Sequence, residues 1–417
     1  MAGFIDILRS GAWLTRERIR LVALAMLAAS VIGAGFLIVT SDGLNDRFGR
    51  PLGTDFSNVY AAGSYVLDGK PTAPFDPALQ SARERAIFGN ATQFYGWHYP
   101  PFFLGVAALL ALMPYWLALL VWQGVTLGLY LPSIRAILSG RLAHNKEAKS
   151  GHLWLLLALA FPAVFINLGQ AHNGFLTAAL IGAALVQLDR RPWLAGVLIG
   201  CLAYKPQFGL LIPLVLMATG RWRVFTGAAM TVALLALTVT LAFGAEVWTS
   251  FLASTKFTRT IVLEQGATGW YKIQSVFSWV RMWGGGITLA YAIQGAVTLA
   301  IAAALVWLWR APAAYPLKAA SLVLGCALAT PYSLDYDLML LAPAIAYLAA
   351  YGITHGFAPW EKTIVAALWI VPLIARSVPQ ATLIPLAVPV ILLAFALLLR
   401  RAMDENGLWH FAARALK

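Results

Sequence analysis

The sequence predicts an all-α polytopic membrane protein, and three observations carry that prediction. Hydrophobic residues fill 60% of the 417 positions and charged residues only 11%, where a soluble domain carries about a quarter charged. Long uncharged runs recur along the chain, beginning with LVALAMLAASVIGAGFLIV at 21–39, long enough to cross a bilayer. Lys and Arg gather in the short segments between those runs, as cytoplasmic loops do. The net charge of +13 therefore reads as a signal of membrane orientation, and nucleic acid is not expected as a partner.

The first run follows a basic start and is followed by no small-residue cleavage pattern, so it reads as an uncleaved span. Basic short segments mark the cytoplasmic side at Arg16, Arg18 and Arg20, at 135–149, at Arg190 and Arg191, at Arg221 and Arg223, at Arg310 with Lys318, and at Arg400 and Arg401. The turns NLGQAHNG at 167–174, TPYSLDYD at 330–337 and SVPQAT at 377–382 are almost free of base and fall on the opposite side. Twelve crossings with both termini in the cytoplasm satisfy this pattern. They lie near 21–39, 116–138, 152–168, 172–188, 193–204, 207–219, 223–243, 287–309, 317–330, 335–352, 361–376 and 382–400. The apolar stretch 101–113 is short and bracketed by prolines. Were it to cross, the 135–149 loop would land outside, so it is expected to re-enter or lie along the interface. The whole chain, 1–417, reads as one membrane domain with two long extracytoplasmic loops, 40–114 and 244–286. Loops of that length are commonly functional, and their aromatic content argues against disorder.

The candidate residues lie in those loops and in the outer turns. Asp42, Asp46, Asp68 and Asp76 sit in ordinary turn sequences. Asp55, in GTDFSNVYAAG, differs because Phe56, Val59, Tyr60, Gly63, Val66 and Leu67 follow it at helical spacing. It is either the N-cap of that helix or a group that does chemistry, and spacing leaves both open. In YGWHYPPFF, Trp97, Tyr99, Phe102 and Phe103 suit a membrane–water boundary, whereas His98 could donate to a phosphate or a sugar hydroxyl. The second long loop carries Lys256, Arg259, Lys272 and Arg281 against Glu246 and Glu264. These cations would meet anionic membrane lipids or clamp a specific phosphate. Lys205, alone in CLAYKPQFG, is an intramembrane cation with a functional role, or a turn residue snorkelling to the surface. Gln170 and Asn173, and Asp335 and Asp337 behind Ser333, line the same face, the acids also fitting helix-capping chemistry. Tyr60, Tyr99 and Gln274 complete the secondary candidates for substrate contact.

Cys201 and Cys326 both fall in apolar stretches and define neither a disulfide framework nor a metal spacing. The chain lacks a Walker loop, an HExxH, a GxSxG elbow and a dinucleotide fingerprint. No metal and no cofactor are expected, and chemistry outside the cytoplasm would draw on an already activated substrate.

DFSNVYAAGSYVLDGK, HYPPFF, LGQAHNG, LAGVLIGCLAYKPQFGLLIPL and ATPYSLDYDLMLLAPA, in that order over about 50–350, resemble glycosyltransferase family 87. The resemblance implies a GT-C type helix bundle with its active site at the extracytoplasmic face, built largely from the first outer loop. It also implies a polyprenyl-phosphate-linked sugar donor, mannose in the characterised members, a lipid or glycan acceptor, and the inner membrane of a bacterium. The family's proposed base falls on Asp55. Where family members often carry SWxH in the late outer turn, this chain reads Ser333-Leu334-Asp335-Tyr336, so no histidine role transfers. Lys205, Lys272, Arg281 and His98 are then the candidates for the departing phosphate, with Asp55, ionised at the ordinary aspartate pKa near 3.9, as base. The alternative reading is a polytopic transporter or lipid flippase, although no repeat relates the two halves.

Overall fold

The computed structural model describes residues 2–141 and 151–405. The greater part of the basic loop read at 135–149, and the chain end read as cytoplasmic, lie outside the described residues. Among the described residues the structure is helical, with only isolated β-bridges such as Ile273 to Leu334.

Among the described residues, five helices are long and apolar enough to cross a membrane: Arg16–Val39, Tyr115–Gly140, Trp222–Phe243, Ile287–Arg310 and Asp335–His355. A sixth span results if Leu153–Leu159 and Pro162–Gln170, bent by 46°, count as one. Pro162 supplies the bend, since it lacks a backbone donor and its ring crowds the preceding turn. The remaining apolar runs form shorter helices, among them Gly174–Gln187, Pro192–Tyr204, Pro206–Ala218 and Tyr315–Ala329.

Burial runs opposite to that of a soluble protein. Leu21, Val31, Ile32 and Val39 on the first long helix are exposed, as lipid-facing residues are, while Asn167, Lys205, Gln294, Asp335 and Asp337 are buried. Asp335–His355 is the most enclosed of the long helices, with 67% of its apolar window buried against 6% for Arg16–Val39.

The 40–114 segment folds as a unit around three short helices, Phe56–Leu67, Pro77–Phe88 and Phe102–Ala111. Asp76 caps the second, accepting from the amides of Ala78 and Leu79 at 2.8 and 3.1 Å. The third has ten residues, about 15 Å of helix and half a bilayer core. It packs on Phe56–Leu67 through Gly63, where a Cβ would come 2.0 Å from the Ala107 carbonyl oxygen. Only glycine permits that approach. Beneath lie Phe56, Phe88, Trp97, Tyr99, Phe103, Tyr115 and Trp122, all buried. The aromatics expected at a membrane boundary are thus largely internal packing. Each such ring contributes about 1.5–3 kcal/mol when buried, and together they fix where the Phe56–Leu67 helix begins.

Candidate functional site

Asp55 stands where that helix meets the preceding turn. Gly53 has φ +66°, and a Cβ on it would lie 2.8 Å from the Cβ of Ala171. The turn docks there because glycine has none. Ala171 is itself left-handed, at φ 48° and ψ 39°, which costs an alanine about 1–2 kcal/mol. Its conformation turns the chain between Gln170 and His172. The Asp55 amide donates to the Gln170 carbonyl at 3.0 Å.

The Asp55 side chain makes no capping bond. Of the two roles the spacing left open, the cap is not realised. With its amide nitrogen turned to Asp55, Gln170 donates to Oδ2 at 3.3 Å, and its oxygen accepts from Arg376 Nη2 at 3.1 Å. Arg376 also pairs with Asp335 at 2.8 Å. Asp335 is buried, whereas Asp55, Gln170 and Arg376 keep partial access to solvent. Burial raises the Asp55 carboxyl to about 7; Asp335 adds to the rise, and Arg376 and Lys205 oppose it. The expectation of an ordinary, fully ionised aspartate is therefore corrected, because desolvation leaves it roughly half protonated at neutral pH.

A second charged cluster lies beside the first. Pro206 interrupts the helical run after Tyr204, and Lys205 occupies the break at φ −131° and ψ 70°, as a residue preceding proline prefers. Its Nζ donates to Asp337 Oδ1 at 2.5 Å and lies 3.4 Å from His172 Nδ1. Asp337 Oδ2 accepts from the Leu334 amide at 3.0 Å, which makes it a capping group as well. His172 stacks on Tyr336 at 3.6 Å and meets the Tyr99 hydroxyl at 3.1 Å. Lys205 is 4% exposed and Asp337 5%, so the lysine does not snorkel; it is neutralised in place. Next to it Asn173 is buried with both amide atoms unpartnered.

The other expected residues are engaged elsewhere. Tyr60 donates to the Met113 carbonyl at 2.9 Å. Gln274 donates to the Ala375 carbonyl at 2.5 Å, and its backbone amide to the Ser333 carbonyl at 2.7 Å, joining the second long loop to the late turns. His98 Nδ1 meets Thr258 Oγ1 at 2.8 Å, and burial pulls its pKa down to about 4, leaving it neutral. Arg281 donates to the carbonyls of Gly285 and Glu264 at 2.7 and 3.1 Å and covers the Trp270 ring. Lys272 keeps partial exposure beside the Tyr271 ring, and Tyr271 in turn influences Arg376. Glu84, which sequence reading left unassigned, is fully buried and raised to about 7 by that burial. Arg376, His172 and Tyr336 were missed. Arg376 closes an expected span just before a turn otherwise free of base, a signal available in the sequence; His172 and Tyr336 carried none.

A groove of about 1040 Å³ lies between 66–79 and the segment 242–257. Its lining does not include Asp55. Among the described residues no three His, Cys, Asp or Glu side chains are placed to hold a metal ion.

Several apolar helices around charged groups gathered at helix ends define an integral, polytopic membrane protein. The model of glycosyltransferase family 87 matches residues 97–331, more than half the chain, and the protein belongs to that family. As a glycosyltransferase it takes a sugar donor and an acceptor. The matched stretch contains Gln170, His172 and Lys205; Asp55, Asp335 and Arg376 lie outside it. No curated protein and no solved structure matches the chain.

Proposed function

We propose that the protein transfers a hexose, mannose first among the candidates, from a polyprenyl-phosphate carrier to a lipid or glycan acceptor. The reaction takes place at the extracytoplasmic face of a bacterial inner membrane, in a GT-C type bundle of about twelve crossings. One observation carries the reading: Asp55 heads a rigidly packed helix, makes no capping bond, and keeps solvent access.

Asp55 takes the proton of an acceptor hydroxyl. The hydroxyl oxygen attacks the anomeric carbon from the face opposite the carrier, and the bond from that carbon to the phosphate oxygen breaks. Its electron pair leaves with the polyprenyl phosphate, so the anomeric configuration inverts in one displacement. A base with pKa near the working pH both releases and accepts protons readily, which a burial-raised Asp55 at about 7 fits. Negative charge grows on the departing phosphate, and Lys272, partly exposed, is the expected cation to meet it. Lys205, Arg281 and His98, held by protein partners, shape the walls.

The test supplies purified protein in sealed lipid vesicles with radiolabelled polyprenyl-phosphate-mannose and a lipid extract. Label in a new glycolipid, lost in Asp55→Asn, supports the reading. Label that crosses vesicles without forming a product indicates a transporter. Near-normal turnover in Asp55→Asn removes Asp55 as the base.

A further inference from the structure

Asp55, Gln170, Arg376 and Asp335 come from four segments far apart in sequence, yet they form one continuous chain of polar contacts. Gln170 grips Asp55 twice, by its backbone carbonyl at 3.0 Å and by its side-chain amide at 3.3 Å. Its amide oxygen is in turn oriented by Arg376 at 3.1 Å. An amide between a guanidinium and a carboxylate can satisfy both only one way round, oxygen to the cation and nitrogen to the anion. The strained Ala171 next in chain keeps Gln170 at that post, and Asp335 holds Arg376 from the other side. The backbone bond also satisfies the last carbonyl of the helix Pro162–Gln170, but the side-chain contacts of Gln170 with Asp55 and Arg376, and of Arg376 with Asp335, cap no helix.

We infer that Arg376 is a positioning residue which, acting through Gln170 and held by Asp335, aims the Asp55 carboxylate and tunes its basicity. The inference rests on Asp55 being the base. Other groups act on Asp55 too: Asp337 raises and Lys205 lowers its proton affinity. Glu84, Tyr95, Tyr99, Tyr332 and Tyr336 also interact with it electrostatically. Only Gln170, Arg376 and Asp335 belong to the chain of hydrogen bonds and ion pair described here. Arg376 and Asp335 pull in opposite directions, so their removal must move the base in opposite directions.

The experiment is the pH dependence of transfer for Arg376→Gln, Arg376→Lys, Gln170→Leu and Asp335→Asn, in nanodiscs with saturating polyprenyl-phosphate sugar. In Arg376→Gln the acid limb moves up by about one pH unit, so activity falls about tenfold at pH 6 and little at pH 9. Arg376→Lys restores the limb by most of that amount. Asp335→Asn moves it down. Gln170→Leu lowers turnover at every pH, because the carboxylate loses its aim. Should Arg376→Gln fail to fold, the downward shift in Asp335→Asn, set against the near-parental limb of Arg376→Lys, decides alone. An acid limb unmoved in the folded variants, with Asp55→Asn still inactive, overturns the inference and leaves the base standing. Activity retained in Asp55→Asn instead removes the reading beneath it.

Discussion

Two neighbouring clusters use the same chemistry to different ends. In one, Lys205 and Asp337 form a one-to-one pair, each about 95% buried, their charges cancelled at 2.5 Å. In the other, Asp55 and Asp335 share a single Arg376, and the cluster opens to solvent. A matched buried pair is strongly destabilising to break from one side. An unmatched pair of acids leaves one carboxyl with a raised affinity for a proton, able to gain or lose it near neutrality. Equal charge makes a strut; unequal charge makes a group that can react.

That contrast can be broken at its sharpest point by removing the reactive carboxylate. Asp55→Asn is expected to lower transfer about 10²–10⁴-fold while the protein grows more stable at alkaline pH. The sign follows from the raised folded-state pKa of about 7 against an ordinary 3.8. The fold binds the proton more tightly than the unfolded chain, so stability is lost as pH rises through 4–7. The Asn variant escapes that loss, and its melting temperature at pH 8 should exceed the parent's by roughly 2–4 °C, with no gain at pH 4. Equal melting at pH 8 would mean that Asp55 carries no such strain.

The strut should respond in the opposite way. Lys205→Met strands Asp337 and is expected to cost about 3–5 kcal/mol of stability, read as thermal unfolding in detergent. Lys205→Met with Asp337→Asn should recover most of it, since Asn can still accept from the Leu334 amide. A double variant as unstable as the single would show that the pair matters for more than charge balance.

Smaller effects refine the comparison. The acid limb of transfer should fall near pH 7, with activity rising about tenfold per unit below it; a limb near 4 would show Asp55 to be as solvated as an ordinary aspartate. Lys272→Ala is expected to lower kcat/KM for the donor about tenfold, and an unchanged value would free Lys272 from the phosphate.

Much of the fold was legible because the bilayer punishes exposed charge and backbone so strongly. Composition, uncharged runs and basic loops located the helices, and the bounds at 21–39 and 223–243 differ little from Arg16–Val39 and Trp222–Phe243. Lys205 could be singled out as a lone cation in an apolar stretch, but its partner is 132 residues away, and no local pattern connects them. The aromatic run at 95–103 carried the composition of a membrane boundary, yet it packs inward; the same ring satisfies either surroundings, and only neighbours decide.

From the sequence alone came the membrane class, the loops that hold the polar residues, and Asp55 as the carboxylate worth watching. These are local properties: hydropathy, spacing and the identity of a side chain. Whether that carboxylate capped its helix or stayed open was settled by tertiary contact, through a glycine that lets a turn dock on a strained alanine. So was the raised pKa, because it depends on how much water burial removes and which distant charges replace it. Electrostatic energy is set by distance in space, and a chain's order along its backbone does not record that distance.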